Sequence, residues 1–166
     1  MSPFETYSLK PFLKLDSAKK QKLHSSYLKF SAQYHPDNYV MEADEAKEKA
    51  EEKFSLYNVA YKILLDNEQR FHCFLEVVCP QVLEEHSKNK IAPKIAFEYF
   101  EVVEGGDLEL MKKFNLKVNG QKTQLLEKWM NAEESINEID CRTMVQDFYL
   151  IKYLSRLEAQ VSEELS

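Results

Sequence analysis

The sequence predicts an all-α protein made of two helical regions in series. Three observations carry that prediction. Apolar residues recur at helical rather than strand spacing through most of the chain. Only three glycines and five prolines are spread over 166 residues, and several sit where the periodicity breaks. The connections between periodic segments are modest, which favours antiparallel packing of neighbouring helices.

The first long helix begins after Asp16 or Ser17, since either side-chain oxygen can accept from the orphan amides of a first turn. Leu23, Tyr27, Phe30 and Tyr34 then form one apolar stripe, with Lys19, Lys20, Lys22 and Lys29 on the rest of the surface. Pro36 disfavours helical geometry at His35, so the helix is expected to stop there. A second stripe follows in Ala46, Ala50, Phe54, Tyr57, Tyr61 and Leu64, and its opposite side is dense in Glu and Lys. Small Ala46 and Ala50 allow close approach while the aromatics fill the seam. The product is an antiparallel hairpin with a polar, proline-braced tip.

At that tip, His35 and Asp37 cannot be core residues. The bland reading of His35-Pro36-Asp37 is a plain turn, and three residues alone carry little weight. A lysine-bearing helix before the tripeptide and an alanine-bearing one after it make it a candidate site.

The second half starts with a polar stretch, 81–90, that reads as a connector. Ile91 to Glu104 predicts a helix stopped by Gly105-Gly106, and Asp107 caps the next. Asn119-Gly120 is a local turn signal and is taken as a break or kink, after which 123–130 resumes a helix bearing Leu125, Leu126 and Trp129. The last segment repeats Met144, Phe148, Ile151, Leu154, Leu157, Val161 and Leu165 at helical spacing. Three such helices make a bundle. Phe97, Phe100, Phe148, Tyr149 and Leu150 are more than one inner face needs, so some are expected at the surface; Phe97 and Phe100 can each be core or contact.

The net charge of −6 is unevenly placed: residues 1–66 balance ten basic against ten acidic groups, and the remainder holds twelve against eighteen. Positive charge gathers on the first long helix. Overall acidity argues against nucleic acid, whose phosphates oppose the net field. An acidic protein face is the better partner for the lysines. No apolar run approaches the ~20 residues needed to cross a bilayer. The three cysteines, Cys73, Cys79 and Cys141, show no Cys-x-x-Cys spacing, and their odd number argues against a disulfide framework. Cys73 and Cys79 are expected as small buried groups, and no zinc spacing is present. Without a phosphate loop, a nucleophile elbow or a metalloprotease motif, the chain makes no case for an enzyme, a metal site or a cofactor.

In its context, His35-Pro36-Asp37 resembles the J domain, by which co-chaperones switch on the ATPase of a heat-shock-70-class chaperone. Further segments narrow the resemblance to the HscB family of iron–sulfur cluster assembly. Phe4-Glu5-Thr6-Tyr7-Ser8-Leu9 with Leu15-Asp16 resembles its short first helix and the entry to the second. Asn58-Val59-Ala60-Tyr61-Lys62-Ile63-Leu64 resembles its Asn-x-Ala-Tyr/Trp-x-x-Leu segment, and Arg70-Phe71-His72-Cys73-Phe74-Leu75 its Arg-Ala-x-Tyr-Leu-Leu segment. The match is good over 4–80 and weak over 90–166. Asn38 stands where the family usually has Lys or Arg, Asn67 where Pro is common, and Gly105-Gly106 where acidic helix normally continues.

The resemblance implies a J domain over 1–80, a C-terminal helical bundle over 81–166 with its connector near 81–90, and a non-enzymatic role. Chaperone contact (HscA or DnaK type) would fall to His35, Pro36, Asp37, Lys19, Lys20, Lys22 and Lys29. Contact with an IscU-type scaffold protein would fall to Phe97, Phe100, Glu101, Glu104 and Leu150. A monomer without cofactor is expected, bacterial cytoplasmic or, as a processed chain, from the mitochondrial matrix. The rivals are a general J protein carrying unfolded clients and a purely structural helical protein.

Overall fold

Arg70 is fully buried at 1% exposure, and three parts of the chain meet on its guanidinium. The computed structural model, which describes residues 1–88, 94–132 and 138–165, is built of helices and their connections, with no strand among the described residues. The helices are α1 (Pro3–Thr6), α2 (Ser17–Tyr34), α3 (Asp44–Leu65), α4 (Asn67–Val78), α5 (Pro80–Lys88), α6 (Ile95–Gly105), α7 (Leu108–Met130) and α8 (Glu138–Glu164). They divide into two compact units, Met1–Val77 and Val78–Ser166.

In the first unit, Asp16 caps α2 by accepting from the Lys19 amide at 2.8 Å, which holds its carboxyl below the usual range. Helices α2 and α3 run antiparallel and are zipped by rings. Tyr27 stacks on Tyr61 at 4.1 Å and Phe30 on Tyr57 at 3.8 Å. Flat rings at two successive turns fix the register of the hairpin, since each pair gains beyond its buried area only when offset correctly. Ala50 and Ala60 are buried and let the backbones approach. Tyr7, just past α1, donates its hydroxyl to the Tyr57 carbonyl at 2.8 Å, and burial pushes its phenol well above the ordinary range. Asp66 closes α3 through its amide on the Lys62 carbonyl and opens α4 by accepting from the Gln69 amide at 2.8 Å.

Arg70 satisfies what those ends leave open. Its guanidinium donates to the Leu13 carbonyl at 2.9 Å, the Leu64 carbonyl at 2.8 Å and the Asn67 Oδ1 at 2.6 Å. Carbonyls at the C-terminus of a helix have no partner of their own and carry negative partial charge, so a buried cation fits there. Burial lowers the guanidinium pKa and Asp66 offsets part of that. Asn67, where proline is common in the resembled family, is here a hydrogen-bond acceptor for the buried cation.

The second unit is built on α7 and α8. Asn115 meets Ser162, Asn119 meets Glu158, and Lys128 and Trp129 meet Asp147, an order that makes the two helices antiparallel. Between them lie Met111, Phe114, Val118, Leu154, Leu157 and Val161, and Ile95, Tyr99 and Val102 of α6 pack against this core. Gly106 ends α6 in a left-handed conformation at φ 65°, which glycine adopts without strain. Asp107 then caps α7 through the Glu109 and Leu110 amides.

Several local expectations are corrected. Residues 80–88 are helical as α5, which lies along α8 with His86 stacked on Tyr149 at 4.5 Å. Its polar sequence hid a helix that needs only a narrow seam. Asn119-Gly120 makes no break: α7 runs straight through it. Met111, Phe114, Val118 and Trp129 keep one helical phase across the pair, and burial of that face outweighs the ~1 kcal/mol penalty of a helical glycine. The helix expected from Ile91 is described from Ile95; 91–93 lie outside the described residues.

The largest correction concerns the cysteines. Cys79 and Cys141 form a disulfide, with Cα atoms 5.7 Å apart and a separation of 62 in sequence. Spacing gave no sign of it because the pair is created by α5 lying on α8. Cys73 is the buried free thiol, and burial pushes its pKa up.

Two outcomes follow from these packings. Arg70→Met keeps much of the apolar stem but leaves the α3 carbonyls buried without a donor, and is expected to cost about 3 kcal/mol; a thermal melt of the mutant within a degree of native would contradict the role given to Arg70. Reduction, or Cys141→Ser, releases a long loop and is expected to cost the second unit up to about 4 kcal/mol, read as a lower denaturant midpoint with and without dithiothreitol.

Candidate functional site

Helix α2 ends without a glycine. The chain leaves it at His35 in extended geometry (φ −61°, ψ 130°), as the following proline requires, and Pro36–Tyr39 form one 3-10 turn. Two side chains from that turn reach back to the open end of α2. Asn38 Nδ2 donates to the Ala32 carbonyl at 2.6 Å, and the Tyr39 hydroxyl to the Gln33 carbonyl at 3.1 Å. They serve as the missing C-cap. The Glu42 amide donates to the Tyr39 carbonyl at 3.0 Å, and the Ala46 and Lys47 amides to the Ala43 carbonyl, so the turn is pinned into the start of α3 as well.

On this braced turn His35 and Asp37 are exposed. His35 Nδ1 accepts from the Asp37 amide at 3.3 Å and lies 3.4 Å from Asp37 Oδ2. The ring edge rests on Phe54 of α3 at 5.4 Å between centroids. The imidazole is thus oriented from below by an aromatic and from the side by its neighbour two places on, while the carboxylate faces water. The geometry displays a ring, a proline and a carboxylate on a braced tip. Beside them a hollow of about 260 Å³ is lined by Pro36, Asp37, Val40, Lys47 and Glu51.

The four predicted lysines do not form one cluster. Lys19 pairs with Asp16 at 3.6 Å and lies over the Phe12 ring, so it also supports the start of α2. Lys22 and Lys29 are exposed and seven residues apart, hence on one side of the helix; exposed Lys20 falls on the other flank.

In the second unit, Phe97 and Phe100 are 71% and 58% exposed, and Glu101 and Glu104 are exposed with them. The four are spaced i, i+3, i+4 and i+7, directly opposite the face that buries Ile95, Tyr99 and Val102. Leu150 is not part of this stripe. It lines a hollow of about 350 Å³ with Lys94, Ile95, Glu98, Lys117 and Gln121 and packs against the α7–α8 core. Phe148 is core and Tyr149 half-buried.

Residues 13–72 match the family model of the DnaJ domain. This segment contains α2, the braced turn and α3. These residues match a J domain, and the chain as a whole has the fold of HscB. HscB from Vibrio cholerae superposes with a TM-score of 0.67 at 18% identity over 100% of both chains. The human co-chaperone HscB gives 0.72 at 19% identity, covering 98% of this chain and 81% of that one. In sequence, the chaperone protein DnaJ of Fusobacterium nucleatum subsp. polymorphum is 39% identical over 54 residues, which is 32% of this chain and 14% of that protein. The shared segment is therefore the J domain and a small part of such relatives.

Sequence reasoning found the tripeptide but missed what holds it. In the sequence Asn38 stands out only as a departure from the resembled family and Tyr39 not at all, yet both cap the end of α2. The available signal was a helix stopped by proline with no glycine to finish it, which demands other partners for its last carbonyls. Asn38→Ala and Tyr39→Phe are each expected to cost about 1 kcal/mol and to speed amide exchange between His35 and Glu42. Native exchange rates in both variants would mean that the turn holds its shape without them.

Proposed function

We propose that this protein is a co-chaperone that binds an iron–sulfur cluster scaffold protein of the IscU type and delivers it to a heat-shock-70-class chaperone of the HscA or DnaK type, stimulating that chaperone's ATP hydrolysis. One observation carries the reading: a rigid His35-Pro36-Asp37 tip and an exposed Phe97-Phe100 stripe flanked by Glu101 and Glu104 occur in one chain with the HscB fold.

In this reading the J domain spans 1–80 and the scaffold-binding bundle 81–166. His35, Pro36 and Asp37 engage the ATP-bound chaperone, and Lys19, Lys20, Lys22 and Lys29 orient the encounter through an acidic face. Phe97 and Phe100 supply an apolar anchor with Glu101 and Glu104 as its charged rim. Leu150 lies off this stripe, in the hollow beside α6, and joins the contact only where the scaffold reaches round the Lys94 and Glu98 flank. Joining both sites in one chain raises the local concentration of scaffold at the chaperone. The protein performs no bond chemistry itself; ATP belongs to the chaperone and the cluster to the scaffold. Bacterial cytoplasm or mitochondrial matrix is the compartment that fits such partners, and the protein acts as a monomer.

Single-turnover ATP hydrolysis by the host's own chaperone tests this. Native protein and scaffold together should accelerate hydrolysis more than either alone, and His35→Gln should abolish the effect with helicity retained. Phe97→Ala with Phe100→Ala should weaken scaffold binding at least tenfold, on the scale of two lost anchors, while stimulation without scaffold survives. Stimulation indifferent to scaffold would favour a general J protein instead.

A further inference from the structure

The braced turn exposes more than the tripeptide. Val40 and Met41 follow it directly and are 64% and 96% exposed. A single exposed apolar side chain is ordinary, and two adjacent ones beside a candidate site begin a patch. Here Tyr39 is folded back onto α2 through its hydroxyl, and the Glu42 amide is tied to the Tyr39 carbonyl, so Val40 and Met41 are left as the outward corner of a closed turn. The backbone path of the corner is hydrogen-bonded before any partner arrives, so its burial has to order the two side chains but not the chain. Val40 also lines the same hollow as Pro36 and Asp37. Through this hollow Val40 continues the surface of Pro36 and Asp37, and Met41 stands next to Val40 on the same turn.

We propose that Val40 and Met41 are an affinity- and specificity-determining extension of the chaperone-docking surface, packing against an apolar surface of the heat-shock-70-class chaperone next to the ground covered by His35-Pro36-Asp37. The inference rests on the docking role proposed above for the tripeptide. It divides labour on the tip. The tripeptide triggers hydrolysis, and the corner decides how tightly, and to which chaperone, the tip binds. Charge on the flanking helix steers encounter but discriminates weakly among acidic faces, whereas a shaped apolar contact discriminates through desolvation.

The test is a concentration series of single-turnover stimulation, with direct binding to the ATP-bound chaperone measured in parallel. Full-length Val40→Ser with Met41→Ser should raise both the half-maximal concentration and Kd roughly tenfold, the scale of one well-buried apolar side chain. Maximal stimulation should be kept. Val40→Leu with Met41→Leu should restore near-native affinity. His35→Gln should do the reverse, removing maximal stimulation. Native affinity in the serine variant would overturn the proposal while leaving the docking role of the tripeptide intact. Loss of concentration-dependent self-association in the serine variant, at unchanged chaperone affinity, would also overturn it by making the corner a self-contact. Absence of any stimulation by the native chain would remove both readings together.

Discussion

The buried guanidinium of Arg70 governs the first unit because several chain segments need it at once. A helix end buried away from water must have its carbonyls paired, and α3 ends in the interior beside the segment that leads into α2. Arg70 is 1% exposed and donates to Leu64 at the end of α3, to Leu13 in the N-terminal segment and to Asn67 at the start of α4. An apolar residue there would leave those carbonyls unpaired. A lysine offers a point charge without the planar fork that reaches three directions. The cation thereby fixes where α3 ends, and the aromatic stacks then carry that placement along the hairpin to its other end.

At that other end the problem recurs with an exposed solution. The last carbonyls of α2 face the turn, and Asn38 and Tyr39 cover them. Their side chains fold back and leave His35, Asp37, Val40 and Met41 outward. Rigidity and display are therefore one device: the groups that satisfy the backbone force the remaining ones into solvent. Phe54 beneath His35 belongs to the same stripe that zips α2 to α3, so core packing and orientation of the exposed ring come from one helix face.

The second unit solves a different problem. Its core is the long α7–α8 seam, and α6 is laid on it by Ile95, Tyr99 and Val102. Once those three face inward, helical geometry sends Phe97, Phe100, Glu101 and Glu104 outward. Two phenylalanines standing in water cost solubility unless a partner covers them. Near the first residues of α8, the Cys79–Cys141 bond ties in the short α5, whose own apolar face is narrow.

The helical class, the α2–turn–α3 hairpin and the position of its tip are legible in the amino-acid order alone. Each of these is a local matter: apolar spacing, a proline that ends a helix, and an aspartate that caps one. The sequence also marked Arg70, Asn38 and Asn67 without giving them work to do. Their roles, the helical course of 80–88, the unbroken α7 through Asn119-Gly120 and the pairing of Cys79 with Cys141 were decided by tertiary structure. In each case the partner lies on another element, as Leu13 does for Arg70 or α8 does for α5, and spacing along the chain carries no record of it. The exposure of Phe97 and Phe100 is intermediate between the two. Their common face was readable from helical spacing, but which face of α6 turns inward depended on what α7 and α8 offered for it to pack against.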